Sequence, residues 1–289
     1  MGSQQHQRIR TAWVILPITA ILLFLAVYYF AVLTVDGQLF ENAALDGQRL
    51  QNISYLNDAD ETLANISRIS LGLSIIAVFV IGLVRNRPRL AVAGAGTIVV
   101  SVGIAEVLKR FILPRPDLVG APADLLQNSF PSGHTTIAMS LLVATLIVIP
   151  YRGRGWAMFF VFSWAVGIGS ATIAAHWHRL SDTLGADLIA VGVGALFSIW
   201  LAKSGDVRRA DTKTYVGRSL LIIFWIGVAV TFIGAAVIFI ANMNRLSGND
   251  YQEVAYNLTH VAAGAGSIIS GLVFWFSWHH LEVPAKVRS

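Results

Sequence analysis

Three short segments carry the side chains suited to chemistry. Lys109 and Arg115 stand just before Pro116, Pro131-Ser132-Gly133-His134 follow, and His178 lies four residues before Asp182. Lys109 and Arg115 supply permanent positive charge, and an arginine fork matches two phosphate oxygens. Pro116 stiffens the turn after Arg115. Pro131-Ser132-Gly133 precede a helix start, where free backbone N–H groups and the helix dipole favour an anion. Gly133 lets the backbone approach such an anion closely, and Ser132 adds a hydroxyl donor. His134 stands at the same helix mouth. His178 and Asp182 share a face of any helix that begins this early. A carboxylate on one ring nitrogen fixes the tautomer and leaves the other nitrogen free as a nucleophile. Taken singly, these features have ordinary readings. Pro-Ser-Gly makes turns, basic residues at helix ends anchor to the interface, and lone histidines such as His6, His260, His279 and His280 do the same. The case rests on their combination, in order and on one face.

The elements that must position them are apolar. The chain has 289 residues, 55% hydrophobic and 13% charged, with mean hydropathy +0.65 and pI near 9.7. Soluble domains carry about 25% charged residues. The shortfall argues against a soluble enzyme, a disordered chain and a nucleic-acid binder. The absence of cysteine excludes disulfides, thiolate metal sites and a thiol nucleophile. Eight apolar segments, 13–33, 66–84, 90–108, 134–149, 156–175, 183–201, 219–241 and 261–278, approach the ~20 residues that cross a bilayer. In lipid such runs must be helices. The first is too long for a signal peptide and has no small-residue cleavage site after Leu33.

Fourteen of the 21 Lys and Arg fall on one face. They lie at Arg8 and Arg10, at Arg85, Arg87 and Arg89, at Arg152 and Arg154, in the 203–218 loop that includes Lys213, and at Lys286 and Arg288. The positive-inside rule makes this face cytoplasmic, with both termini inside. All three chemical segments fall on the opposite face, where Lys109, Arg110, Arg115 and Arg179 are four of the remaining seven cations. The long outer loop 35–65 repeats Leu39, Phe40, Ala43, Ala44, Leu50, Ile53 and Leu56 at helical spacing. It reads as an interfacial amphipathic helix, with a lid over a lateral lipid opening as its sharper role. Glu106 and Asp187 fall inside spans and read as structural ion pairs or polar contacts.

The ordered motifs resemble the type 2 phosphatidic acid phosphatase superfamily of integral-membrane lipid phosphatases. Pro131-Ser132-Gly133-His134 is a complete motif, and Lys109, Arg115-Pro116, His178 and Asp182 match the others. Two departures stand out. Five residues, not six, separate Lys109 from Arg115. Thr172 stands where the third motif has its arginine, behind Ala171 in place of serine, so Arg179 is the candidate substitute and Arg110 a weaker one.

The resemblance implies an all-α membrane fold. Residues 1–203 would form a six-helix phosphatase core, and residues 204–289 a cytoplasmic loop with two added helices. His178 would form a phosphohistidine, Asp182 would orient it, and His134 would act as acid and then base. Lys109, Arg115, Ser132, Gly133 and Arg179 would hold phosphate, with no metal and no cofactor. The implied reaction is extracytoplasmic dephosphorylation of a membrane lipid at a bacterial plasma membrane. A polyprenyl diphosphate is favoured, with phosphatidylglycerophosphate or phosphatidic acid as other substrates. The alternatives are a lipid phosphotransferase using the same histidine, and a non-catalytic scaffold or transporter. Small residues at Gly264, Gly266, Ser267, Ser270 and Gly271 suit close packing, either on the core or in a homodimer.

Overall fold

The computed structural model describes residues 10–51, 53–122, 125–210 and 216–285. His6, Arg8, Lys213, Lys286 and Arg288 lie outside them. Ten α-helices are described, together with one ladder of two-residue strands. α1 (Thr11–Val27) runs into a π-turn at Tyr28–Val32, and α2 (Val35–Gln48) and α3 (Ile53–Ala64) follow. α4 (Arg68–Val84) begins with a capping box between Ser67 and Ser70. α5 (Pro88–Val107) has proline at its first position, where the missing N–H costs nothing, and ends in a π-turn at Leu108–Ile112. Then come α6 (Gly133–Val148), α7 (Arg154–Ala174), α8 (Leu180–Lys203), α9 (Val216–Met243) and α10 (Gly248–Ser277).

All eight apolar segments form helices, and among the described residues six are long and apolar enough to cross a membrane, α1, α5, α7, α8, α9 and α10, or seven if the bent pair α3–α4 is one span. The chain is an integral membrane protein on that ground. α4 has 17 residues and meets α3 at a 58° bend. α6 has only 16 residues, about 24 Å of helix against a hydrocarbon core of about 30 Å. It lies at the centre of the bundle, packed by α4, α5, α7, α8 and α10, so protein rather than lipid surrounds most of it. α9 is the least buried of the long helices.

The small residues of α10 pack inward. A methyl on Gly264 would meet Phe232 of α9, one on Gly266 would meet Leu184 of α8, and one on Gly271 would meet Phe162 of α7. Ser267 Oγ donates to Asp187 Oδ2 at 2.9 Å, the polar contact expected for that aspartate. Glu106 pairs with Arg110 at 2.7 Å.

The arginines that mark one face do more than sort topology. Arg154 and Arg218 are buried. Arg154 donates to the carbonyls of Trp278 and Leu281, Arg85 to that of Val283, Arg87 to that of Pro284 and Arg10 to that of His279. The strand Leu281–Glu282 also pairs antiparallel with Arg208–Arg209. Basic side chains from four helix ends therefore fasten the segment after α10. His280 belongs to this strap, its Nδ1 3.0 Å from the Tyr151 hydroxyl, rather than to an interface anchor.

The 35–65 segment is helical. It is two helices, and α2 turns its polar stripe inward. Gln38, Glu41 and Gln48 are buried, whereas Leu39 and Leu50 are exposed. α2 lies directly on α10, so close that a methyl on Gly47 would stand 2.0 Å from the Gln252 carbonyl oxygen. The buried polar side chains have partners there: besides α10, the inner neighbours of α2 include the segments around Arg115 and around Arg179–Ser181.

Candidate active site

The site forms where α5 and α7 end and α6 and α8 begin. α5 ends in the π-turn, closed by the Leu113 N–H donating to the Leu108 carbonyl at 2.9 Å. The wider turn changes the rotational position of Lys109 at the point where the spacing to Arg115 is short by one residue. Asn128 ties the returning loop to this turn, donating to the carbonyls of Lys109 at 3.0 Å and Leu113 at 2.7 Å.

α6 begins under Ser132, whose Oγ accepts the Thr135 N–H at 3.2 Å as an N-cap. The Ser132 N–H donates to the Asp182 carbonyl at 2.9 Å, which joins the second segment to the third. Gly133 faces the first segment. A methyl placed on it would stand 3.8 Å from Lys109 Nζ and 3.5 Å from Glu106 Oε1. Lys109 and the amino end of α6 thus line one small space, as the anion reading requires.

α7 ends with His176 at φ 61°, a left-handed turn that sends the chain back toward α8. Thr172, at the position of the absent arginine, is buried. Its carbonyl accepts the N–H of Trp177 at 3.2 Å and of His178 at 3.1 Å. Its hydroxyl donates to the Gly169 carbonyl at 2.8 Å. It is a packing and capping position between α7 and α8.

His178 Nδ1 lies 3.2 Å from Asp182 Oδ2, and the same oxygen accepts the Arg179 N–H at 2.9 Å. An ionised carboxylate only accepts, so Nδ1 carries the proton and Nε2 keeps its lone pair. Both residues are buried. The His134 ring centre is 6.3 Å from that of His178 and packs edge-on against Trp177 at 5.1 Å. His134 and Lys109 are half-buried and Trp177 is exposed, so the outer side of the site is open at these three residues. Nothing about the spacing had singled out Trp177. Its only signal was its place between His176 and His178.

Two expected phosphate cations have protein partners. Arg115 Nη2 lies 3.4 Å from Glu41 Oε2, with both side chains almost fully buried. Its Nη1 is buried with no partner among the described residues. The Arg179 guanidinium contacts the Leu125 carbonyl at 2.5 Å, Ser129 Oγ at 3.3 Å and Asn42 Oδ1 at 3.4 Å. It clamps the 125–129 loop to α2. A small cavity of about 60 Å³ remains between Leu45, Gln127, Ser129 and residues 176–179.

Glu41 is the residue that sequence reasoning missed, having counted it only among the acidic outer-loop residues. Besides Arg115, it accepts the Ser181 N–H at 3.0 Å. Burial, and then the Asp182 carboxylate, push its carboxyl above the usual range, while Arg115, Ser181 and Arg179 pull it down. The legible signal was the i, i+3, i+7, i+10 stripe of Gln38, Glu41, Leu45 and Gln48.

Comparison with known proteins agrees with this geometry. Residues 69–206 match the family profile described as the PAP2 superfamily, a stretch that holds Lys109, Arg115, Ser132, His134, His178 and Asp182. No curated protein and no solved structure matches the chain. The match over residues 69–206 supports reading the chain as one of the PAP2 superfamily, the type 2 phosphatidic acid phosphatases.

Proposed function

We propose that the chain removes phosphate from a membrane lipid through a phosphohistidine on His178. The observation that carries this reading is the His178–Asp182 pair, with the His134 ring 6.3 Å from His178 at the amino end of α6. The family match supports the coarser activity, phosphatase or phosphotransferase chemistry on lipid phosphates.

In the first step His178 Nε2 bonds to phosphorus and the phosphorus–oxygen bond to the lipid breaks. His134 gives its proton to the departing oxygen. In the second step His134 takes a proton from water, the water oxygen bonds to phosphorus, and the phosphorus–nitrogen bond breaks. Asp182 balances the positive charge that His178 gains in the first step. Lys109, the Gly133 backbone and Arg115 receive the phosphoryl oxygens, where catalysis is mostly electrostatic. Ser132 contributes its hydroxyl while its oxygen caps α6. Arg179 acts mainly on the loop that frames the site. No step calls for a metal.

The eight apolar helices read as eight spans, the short α6 crossing within a sheath of neighbours. The arginine-rich end is then cytoplasmic with both termini, and the site faces outward at headgroup level. A bacterial plasma membrane and a polyprenyl diphosphate substrate fit this reading best. The test is phosphate release by the purified chain in detergent with excess EDTA. Undecaprenyl diphosphate, phosphatidylglycerophosphate and phosphatidic acid would be compared, each beside His178→Ala. Release that survives EDTA and vanishes in the variant is the expected result. Equal release from the variant, or none from any lipid, would sink the reading.

A further inference from the structure

We propose that Glu41, which lies outside the family-matched residues, is a positioning residue of the site: its carboxylate holds the Arg115 guanidinium against the first turn of α8. The inference rests on the reading that Arg115 binds phosphate.

α2 rests on α10, and its buried polar side chains also reach the site segments. Gln38 Nε2 donates to the Pro116 carbonyl at 2.7 Å, and its Oε1 accepts the Leu118 N–H at 3.2 Å. Glu41 takes Arg115 on one oxygen and the Ser181 amide on the other. Asn42 accepts from Arg179, and Gln48 Nε2 donates to the Ala174 carbonyl at 2.9 Å. Each of these contacts lands on, or within four residues of, a segment that carries site chemistry. Beside Ala44 and Leu45, α2 buries Gln38, Glu41 and Gln48 while Leu39 is exposed, so its inward face is partly polar and needs polar partners. An ion pair buried this deeply is also a poor device for stability alone, because desolvation offsets much of its attraction. It does give Arg115 a fixed direction.

One carboxylate thereby links two segments that are far apart in sequence. Ser181 adjoins Asp182, so the oxygen that holds Ser181 also fixes the helix turn presenting Asp182 to His178. The other oxygen holds one fork of Arg115. The second fork, Nη1, is buried without a partner among the described residues and is the donor left for a phosphoryl oxygen. Glutamine at position 41 would keep the oxygen for Ser181, but its amide N–H₂ would face the Arg115 donors and release the guanidinium.

The test is a double-variant cycle on the full chain in detergent. Orthovanadate binding would be measured by calorimetry and phosphate release by turnover. The proteins are wild type, Glu41→Gln, Arg115→Gln and the pair together. Glu41→Gln should weaken vanadate binding about tenfold, and its effect should disappear in the Arg115→Gln background, as coupled neighbours require. Turnover should fall in kcat more than it rises in KM. Vanadate binding equal to or tighter than wild type, or losses that simply add in the pair, would overturn the proposal. Should Glu41→Gln fail to fold, Glu41→Asp keeps the charge, retracts it by one methylene, and must show the same coupled loss. Coupled vanadate binding in a protein that releases no phosphate would defeat the phosphatase reading and leave the positioning role standing. A wild type that binds no vanadate would defeat both.

Discussion

Asp182→Asn isolates the charge of the central pair from its geometry. Asp182 Oδ2 receives both His178 Nδ1 and the Arg179 N–H, whereas Oδ1 is buried with no partner among the described residues. Asparagine can therefore keep its oxygen on those two donors and turn its amide toward the side of Oδ1, near Ser129. Orientation and tautomer of His178 survive, and the negative charge is lost. When Nε2 attacks phosphorus, His178 becomes cationic. Two unit charges about 4 Å apart attract by about 4 kcal/mol at an effective dielectric near 20. Full charge development would then make the loss about 1,000-fold, at about 1.4 kcal/mol per decade. Half development, about 2 kcal/mol, makes it about 30-fold. The rate of phosphohistidine formation, trapped by rapid acid quench and read with phosphate release, should fall within that range. The buried, unpartnered amide should also lower stability by about 1–3 kcal/mol without unfolding the protein. A loss under about threefold would refute the reasoning, because it would mean that His178 gains no charge that Asp182 stabilises.

Other substitutions test the packing around the site. Gly133→Ala places a methyl at ordinary contact distance from Glu106 and Lys109, so folding should be unaffected. The methyl enters the space where phosphate would sit, and kcat/KM should fall about tenfold while the unfolding midpoint holds. Gly47→Ala drives a methyl to 2.0 Å from a carbonyl oxygen of α10. Two helix backbones cannot yield there, and the unfolding free energy should drop by about 1–3 kcal/mol with activity lost in step. A stability curve would expose Glu41. Its carboxyl, amid Arg115, Arg179 and Asp182, is raised above the usual 4.5, mainly by burial. A raised group contributes stability that is full below its unfolded value and lost as pH rises through its folded value. The stability of the wild type relative to Glu41→Gln should therefore decline as pH rises above 4.5. A wild-type advantage that grows with pH would show that Arg115 and Ser181 outweigh burial.

The chemistry-bearing residues were legible because their spacing is local. His178 and Asp182 are one helical turn apart, and Pro131 to His134 form a helix start that needs no distant partner to be recognised. The ends of the apolar runs also put three motifs at one end of the bundle, where Ser132, Lys109, His134 and His178 do meet. The inward face of α2 was not legible in the same way, because which face of an amphipathic helix turns toward the protein depends on what lies beneath it. Beneath α2 lie α10 and, beside it, carbonyls, amides and two arginines of the site segments. Arg154 and Arg218 were likewise read as surface charges of one face, although they are buried against backbone carbonyls and Tyr151.

Composition and local order therefore determined the class of molecule and its chemical vocabulary: an integral-membrane, helical chain with the phosphatase motifs in sequence. Hydrophobic runs and i to i+4 spacing carry that information because they act within one helix. Only the tertiary structure decided that Thr172 caps α7, that Arg179 clamps a loop, and that Glu41 joins Arg115 to the first turn of α8. These contacts span between 54 and 140 positions where they cross the bundle. No local pattern encodes such a pairing, since it exists only once α2 has docked on α10 and the helix ends have converged.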